Sequence, residues 1–400
     1  MLDSPKAWSV AVASAIISGT AFGTVYTFGT FFEAMADEFG AGRGSTAVVF
    51  AVTLFLFFGT GAASGFLGDR YGPRPLVLFG GTLFVAGLLL TSRVDELWQG
   101  YLTYGIGCGL GGGIFVSPMF AAVAGWFEKY RALGQGVTAT GNGIGTLVLL
   151  PTANRLIEDD GWRSAYQTLA IVAAVVFVVC SLFLSRPPVD APPAALQHLK
   201  AVLRTTSFRR LSVSAALSSA AQACAFAFTV IFATDAGISS GRAALLVGCI
   251  GAASIFGRLL LTALSERTGP VPMLRYCFAG LPVAFTVLLF AGGSYALLLT
   301  YAVLLGFSYG GLVALMGAAS AHLFGVRGLG PVMGSVFLGA GVGSLLYPPF
   351  VGWLADASGG NTVPQIAIVA VAVAGFISLL RLNPDPVPAE ELAVDTPAPA

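Results

Sequence analysis

Charge is scarce in this chain. Of its 400 residues only 10% are Asp, Glu, Lys or Arg, against about a quarter in an ordinary soluble domain, so most of its surface has lipid as solvent. Histidine is nearly absent: His198 and His322 are the only two, and no H-E-x-x-H occurs, which leaves a metal centre almost nothing to bind to. The five cysteines, Cys108, Cys180, Cys224, Cys249 and Cys277, fall in apolar segments with no C-x-x-C and read as small packing residues. The absence of G-x-x-x-x-G-K-[ST] argues against a nucleotide-driven pump. A net charge of +1 leaves no footprint for nucleic acid. Paired interior carboxylates, an interior histidine and a Ser/His/Asp set are also missing, so a membrane-embedded enzyme fits poorly. No cofactor is expected.

Apolar sequence is what the chain has. Hydrophobic residues make up 56% of it and glycine contributes 52 residues. Glycine inside apolar runs lets helix backbones approach closely. The run from Ala7 to Phe32 is longer than the apolar region of a cleaved signal and long enough to span a bilayer, which takes about 20 residues. Eleven more runs follow, at about 45–67, 75–92, 97–124, 132–153, 162–185, 209–233, 243–265, 272–292, 295–321, 328–353 and 363–381. The expected fold is an all-α integral membrane protein with twelve transmembrane helices.

The longest break, Arg186 to Phe208, holds Pro187, Pro188, Pro192 and Pro193, then His198, Lys200 and Arg204. It divides the chain into an N-terminal six-helix bundle (1–185), a cytoplasmic linker (186–208) and a C-terminal six-helix bundle (209–382). Residues 383–400, rich in Pro, Ala and acid, read as a disordered cytoplasmic tail. Basic loop residues gather on one side: Lys6, Arg70, Arg74, Lys129, Arg131, Arg186, Lys200, Arg204, Arg209, Arg210, Arg267, Arg275, Arg327 and Arg381. The other side has only Arg43, Arg93, Arg155, Arg163 and Arg242. The positive-inside rule then puts both termini in the cytoplasm, with the protein multi-pass in the cytoplasmic membrane.

The two halves repeat. Gly68-Asp69-Arg70-Tyr71-Gly72-Pro73 matches Ser265-Glu266-Arg267-Thr268-Gly269-Pro270 at an offset of 197 residues. Arg131-Ala132-Leu133-Gly134 matches Arg327-Gly328-Leu329-Gly330 at 196. Gly141-Asn142-Gly143-Ile144-Gly145 matches Gly339-Ala340-Gly341-Val342-Gly343 at 198, as Pro151 matches Pro349. Two parallel six-helix pseudo-repeats imply a central cavity between halves that rock against each other.

The repeated turn is a candidate conformational gate, made of Gly68, Asp69, Arg70, Gly72, Arg74 and Arg131 in one half and Glu266, Arg267 and Gly269 in the other. An acid at that helix end pairs with Arg70, Arg74 or Arg131, or faces a helix N-terminus, while that side is closed. The plainer alternative is a topological anchor of positive loops. Gly72 and Gly269 permit the tight turn, and Pro73 and Pro270 start the next helix.

Arg258 lies inside the eighth run, eight residues before Glu266. That is about 12 Å along a helix, near the midplane of a core about 30 Å thick. A charge there costs about 3 kcal/mol or more and faces a cavity or a partner. No Asp or Glu lies in a span interior, and Ser254 stands one turn before Arg258. An unpaired guanidinium invites an anion, and its planar fork suits a carboxylate. The alternative is an arginine satisfied by backbone carbonyls and water.

G-F-L-G-D-R-Y-G-P-R at 65–74 resembles the loop-2-3 signature of the major facilitator superfamily. The segment Y-G-I-G-C-G-L-G-G-G-I-F-V-S-P from 104, W-F-E-K-Y-R-A-L-G from 126, then G-N-G-I-G and Pro151 is similar to the monocarboxylate porters and the oxalate:formate antiporters. Tyr26-Thr27-Phe28-Gly29-Thr30-Phe31-Phe32, followed by F-G-A-G-R, fits the same two branches. The resemblance implies that Arg258 binds a substrate carboxylate. The antiporter's second cation, a lysine in the eleventh span, has no counterpart, because Gly328 to Trp353 contains no Lys or Arg. One cation favours one carboxylate. The span-one lysine of animal monocarboxylate porters is also absent, with Tyr26 near its place. Phe115 stands where the antiporters have a tyrosine, three residues before Pro118. These departures imply a less polar pocket, with Tyr26, Phe115, Asn142, Phe307 and Tyr309 as candidate lining residues beside Arg258. The expected function is secondary active transport of a small organic anion, a monocarboxylate, by a monomer working in membrane lipid. The alternative is a major facilitator exporter of drugs or other metabolites. Proton symport, anion exchange and uniport all remain open, with protons one candidate co-substrate.

Overall fold

The structure is a computed structural model and describes residues 2–127, 130–187, 195–325 and 329–388. Regular structure among these residues is entirely helical. Helices α1 (Pro5–Tyr26) and α2 (Phe28–Phe39) form the first crossing. The path breaks at Thr27, whose hydroxyl turns back to the Thr24 carbonyl at 2.6 Å. A side chain that competes for helix carbonyls in this way weakens the ladder. Tyr104, fully buried, also donates its hydroxyl to Thr24 O at 3.0 Å. The break therefore falls directly after Tyr26.

Helices α3 (Arg43–Tyr71) and α4 (Pro73–Thr91) are the second and third crossings. The short α5 (Leu97–Gly100), a π-helical segment (Tyr101–Cys108) and α6 (Gly109–Trp126) run together as the fourth. Helix α7 (Arg131–Ser181) has 51 residues, about 77 Å if straight, far more than one crossing needs. Its backbone bends at Gly161 (φ 80°, ψ 160°), giving two arms, 131–160 and 162–181. Among the described residues eleven segments are long and apolar enough to cross a membrane, and the bend brings the crossings to the expected twelve. The second half comprises α9 (Thr206–Asp235), α10 (Ser240–Thr268), α11 (Pro270–Ala291), α12 (Tyr295–Phe324), α13 (Leu329–Ser358) and α14 (Thr362–Leu380). The face on which α1 starts and α14 ends is the terminal face below, and the other is the opposite face.

The sequence repeat is a repeat of packing. In the first half, a β-carbon on Gly141 or Gly145 would lie 1.9 Å from the carbonyl oxygens of Ala15 and Gly19 on α1. Gly143 between them faces the other way, 2.7 Å by the same construction from Gly251 O on α10. In the second half, Gly343 meets Ala216 O on α9 at 2.0 Å, and the intervening Gly341 meets Phe55 O on α3 at 3.2 Å. The outer glycines of each triplet thus bind their own half together, and the central one lets the two halves touch. All six are side-chain-free because backbone lies against backbone.

The matched turns are also built alike. Gly72 (φ 81°, ψ 171°) and Gly269 (φ 87°, ψ 152°) end α3 and α10. Each donates its N–H four residues back, to Gly68 O and Ser265 O, at 2.8 Å in both cases. Pro73 and Pro270 begin the next helix. Such backbone angles are open to glycine alone.

The segment 186–208 contains α8 (Ala195–Arg204), with Val202 buried and α13 and α9 as neighbours. Thr205 then caps α9, accepting from Phe208 N at 3.1 Å. Residues 188–194 lie outside the described residues. Residues 383–388 do not leave the bundle as a free tail. Val387 N donates to Leu323 O at 2.9 Å, serving a carbonyl in the last turn of α12 that has no intrahelical donor. Residues 389–400 lie outside the described residues.

Candidate functional site

Arg258 is 2% exposed on α10. Helices α10 and α12 touch backbone to backbone beside it, since a β-carbon on Gly257 would lie 2.0 Å from Phe307 O and one on Gly310 the same distance from Ser254 O. That contact fills one side of α10, and the Arg258 side chain extends toward α7 in the other half. There Nη1 donates to the carbonyl of Ala139. Nε and Nη2 are buried with no acceptor among the described residues. A guanidinium carries five N–H donors, so most of its capacity is unspent. Ser254 supplies nothing, because its hydroxyl bonds to Gly251 O in its own helix at 2.7 Å. Among the described residues the ion pairs are Arg43–Asp235 and Arg163–Glu38, and neither involves Arg258.

Two phenols lie near the guanidinium. The hydroxyls of Tyr26 and Tyr309 lie 3.2 Å apart, joining α1 to α12, and both rings interact electrostatically with Arg258. Tyr309 is about 22 Å by helix rise from the terminal-face end of α12, and Arg258 about 15 Å from that of α10. The phenol pair thus lies on the side of Arg258 toward the opposite face. Phe226 of α9 completes the group, stacked on Tyr26 at 3.9 Å and 6° and edge-on to Tyr309 at 5.6 Å. The arrangement is one cation with free donors near a cluster of three rings, Tyr26, Tyr309 and Phe226.

The other candidates divide. Asn142 is buried on α7 one turn from Ala139 and accepts from the Ser18 hydroxyl on α1. It belongs to the wall that holds the Arg258 contact. Phe115 is not in the group. It is buried against Phe177 at 5.2 Å and lies next to Gly80 of α4, because it shares a helical face with Gly111, which packs on α4. Phe307 brings its backbone to Gly257, but it is two residues from Tyr309, about 200° around the helix, so its side chain leaves the opposite side. Phe226 was not singled out from the sequence, where nothing separates it from 29 other phenylalanines.

The opposite face is fastened across the halves. Arg43 at the start of α3 pairs with Asp235 at the end of α9 (2.6 Å) and bonds Asn361 Oδ1 (3.0 Å), and Asn361 Nδ2 bonds Asp235 (2.9 Å). Thr234 donates to Glu33 at 2.9 Å. Past the apolar runs, hydrogen bonds from Ser240 and then Asn154 hold the Glu158 carboxyl below the usual carboxylate range, and Arg163 does the same to Glu38. At the terminal face no side-chain bond joins the halves among the described residues. Of the gate candidates, Arg70, Arg74 and Arg267 are exposed, and Gly68 packs against Pro118. The side chains of Asp69, Arg131 and Glu266 lie outside the described residues.

Comparison with known proteins adds three findings. The family model described as Major Facilitator Superfamily matches residues 14–281 and 211–399. Monocarboxylate transporter 3 of Rattus norvegicus is 30% identical over 369 residues, covering 89% of this chain and 75% of its own length. Monocarboxylate transporter 11 of Homo sapiens is 28% identical over 398 residues, covering 96% and 84%. Among solved structures, a bacterial homologue of the human lysosomal transporter Spinster, in an inward-facing and occupied conformation, superposes with a TM-score of 0.75 at 15% identity, covering 94% of this chain and 97% of that one.

Proposed function

Because the chain belongs to the major facilitator superfamily, whose members here are transporters rather than enzymes, we propose that it carries a small monocarboxylate by alternating access, with Arg258 as the anion-binding group. The observation that supports this reading is the buried guanidinium with Nε and Nη2 unpaired. A substrate carboxylate accepts from those two nitrogens in a charge-assisted pair, and its apolar body lies against Tyr26, Phe226 and Tyr309. The absence of a second basic residue in the described part of α13 fits one carboxylate rather than two. The curated relatives named as monocarboxylate transporters support the same substrate class.

On this reading the terminal face is cytoplasmic, which its excess of Lys and Arg supports, and the protein sits in the cytoplasmic membrane. The bonds that fasten the opposite face across the halves support an inward-facing state. The gate turns at Gly72 and Gly269 would engage their acids when the halves close on the cytoplasmic side. The test is uptake of labelled lactate, pyruvate and an aromatic acid into proteoliposomes, with and without a pH gradient. Saturable uptake of a monocarboxylate supports the reading. Transport of a neutral compound, with no competition by any carboxylate, contradicts it and favours the exporter.

A further inference from the structure

Glu158 and Asp356 occupy one position twice. They are 198 residues apart, the offset that relates Gly141 to Gly339 and Pro151 to Pro349. Each stands three residues before a positive-φ glycine, Gly161 (φ 80°) and Gly359 (φ 64°), so each lies in the last turn of its helical arm. A carboxylate there faces the negative end of its own helix dipole. The placement works against the helix that carries it, and what offsets it is across the interface.

Each acid reaches the N-terminus of a helix in the other half. Asp356 on α13 accepts from the backbone N–H groups of Arg43 and Gly44, at 3.0 Å each. These are the first two residues of α3, whose amides have no intrahelical acceptor. Glu158 on α7 accepts from the hydroxyl of Ser240 at 2.6 Å, the first residue of α10. Asn154 Nδ2 steadies the same oxygen at 2.9 Å from within α7. The gripped segments, Arg43-Gly44 and Ser240-Gly241, are themselves 197 residues apart. The α13–α3 jaw closes backbone to backbone, since a β-carbon on Gly352 would lie 2.7 Å from the backbone carbonyl of Arg43 and from Gly44 N.

We propose that Asp356 and Glu158 form a duplicated latch on the opposite face, each an acid of one half gripping a helix N-terminus of the other, and that both grips must break before the site opens to that side. The proposal rests on reading the chain as an alternating-access transporter and adds residues outside the repeated gate turns. The two jaws are unequal. Arg43 adds its bonds to Asp235 and Asn361 beside Asp356, whereas Ser240 offers Glu158 one hydroxyl. Asp356 is therefore the stronger jaw.

The test measures distance across the opposite face in the full-length protein in lipid nanodiscs, with its five native cysteines replaced. Spin labels are placed at Asp37→Cys and Gly360→Cys, exposed positions in the two halves, and the distances are read by pulsed electron resonance. The parent is expected to give one dominant short distance. Asp356→Asn raises the population of longer distances about threefold, the size of effect expected for one charge–helix contact. Glu158→Gln raises it less, the double substitution raises it most, and Asp356→Glu restores the parent distribution. Ser240→Ala removes the donor without touching either acid and should reproduce Glu158→Gln if the double variant fails to fold. An unchanged distribution in Asp356→Asn and in Ser240→Ala would overturn the latch. The readout needs no substrate, so it is independent of whether Arg258 binds a carboxylate.

Discussion

Tyr26 and Tyr309 meet hydroxyl to hydroxyl at 3.2 Å, and that single bond ties the first half to the second above Arg258. Loss of one neutral hydrogen bond is worth about 1 kcal/mol, roughly fivefold in an equilibrium. Tyr26→Phe or Tyr309→Phe should therefore slow substrate exchange by about fivefold while the protein still folds. Counterflow in proteoliposomes measures this, and rates equal to wild type in both variants would remove the pair from the cycle.

Gly72 and Gly269 share backbone angles that only glycine adopts at low cost. Forcing alanine into that region costs about 1–3 kcal/mol. The neighbours differ, however. A β-carbon on Gly72 would lie 2.7 Å from the Arg186 side chain, whereas the nearest atom to one on Gly269 is at 3.6 Å. Gly72→Ala should lower the unfolding temperature more than Gly269→Ala, and thermal unfolding in detergent checks the order. Equal effects would mean that strain alone matters.

The glycine triplet predicts a separation of stability from switching. Gly145→Ala puts a methyl 1.9 Å from Gly19 O inside one half and should destabilise that half by several kcal/mol, in the range of overpacking with forced backbone shifts. Gly143→Ala wedges between α7 and α10, which belong to different halves, and should alter the open-state balance with the smaller loss of unfolding temperature. Paired thermal and accessibility-labelling measurements distinguish the two, and an identical profile for both variants would contradict the assignment.

Tyr104 serves a carbonyl at the break between α1 and α2. Tyr104→Phe removes one bond to the Thr24 carbonyl, which keeps the Thr27 hydroxyl, at a cost of about 1 kcal/mol. A lower unfolding temperature and weaker transport are expected together, because the break sets where Tyr26 sits. Loss of stability with unchanged transport would separate the break from the site.

What the sequence makes legible is local. The twelve crossings follow from apolar run lengths, and the matched turns follow from Gly-Pro chemistry that needs no distant partner. Arg258 stands out because a lone charge in an apolar run has few explanations. Why the sequence does not separate the clustered candidates from the scattered ones has a physical reason. An aromatic residue's face on a helix means nothing until its neighbours are known, so Phe115 and Phe307 look as suitable as Tyr309, and Phe226 looks like any other phenylalanine. The opposite-face network is hidden for the same reason. Arg43 and Asp235 are 192 residues apart, and an acid at a helix end reads as an ordinary loop charge. The bond from Val387 to Leu323 is hidden in the same way, because a single backbone contact leaves no mark in the composition.

Arg258→Gln is the substitution on which the account stands. It removes the charge and the fork and puts a shorter, neutral amide in their place, which gives up the reach to Ala139 O as well. A buried charge-assisted pair is worth about 3 kcal/mol, so monocarboxylate uptake by proteoliposomes containing Arg258→Gln should fall about 100-fold, with the elution profile and unfolding temperature close to wild type. Uptake at the wild-type rate by the folded variant would contradict the assignment of Arg258 as the carboxylate-binding group.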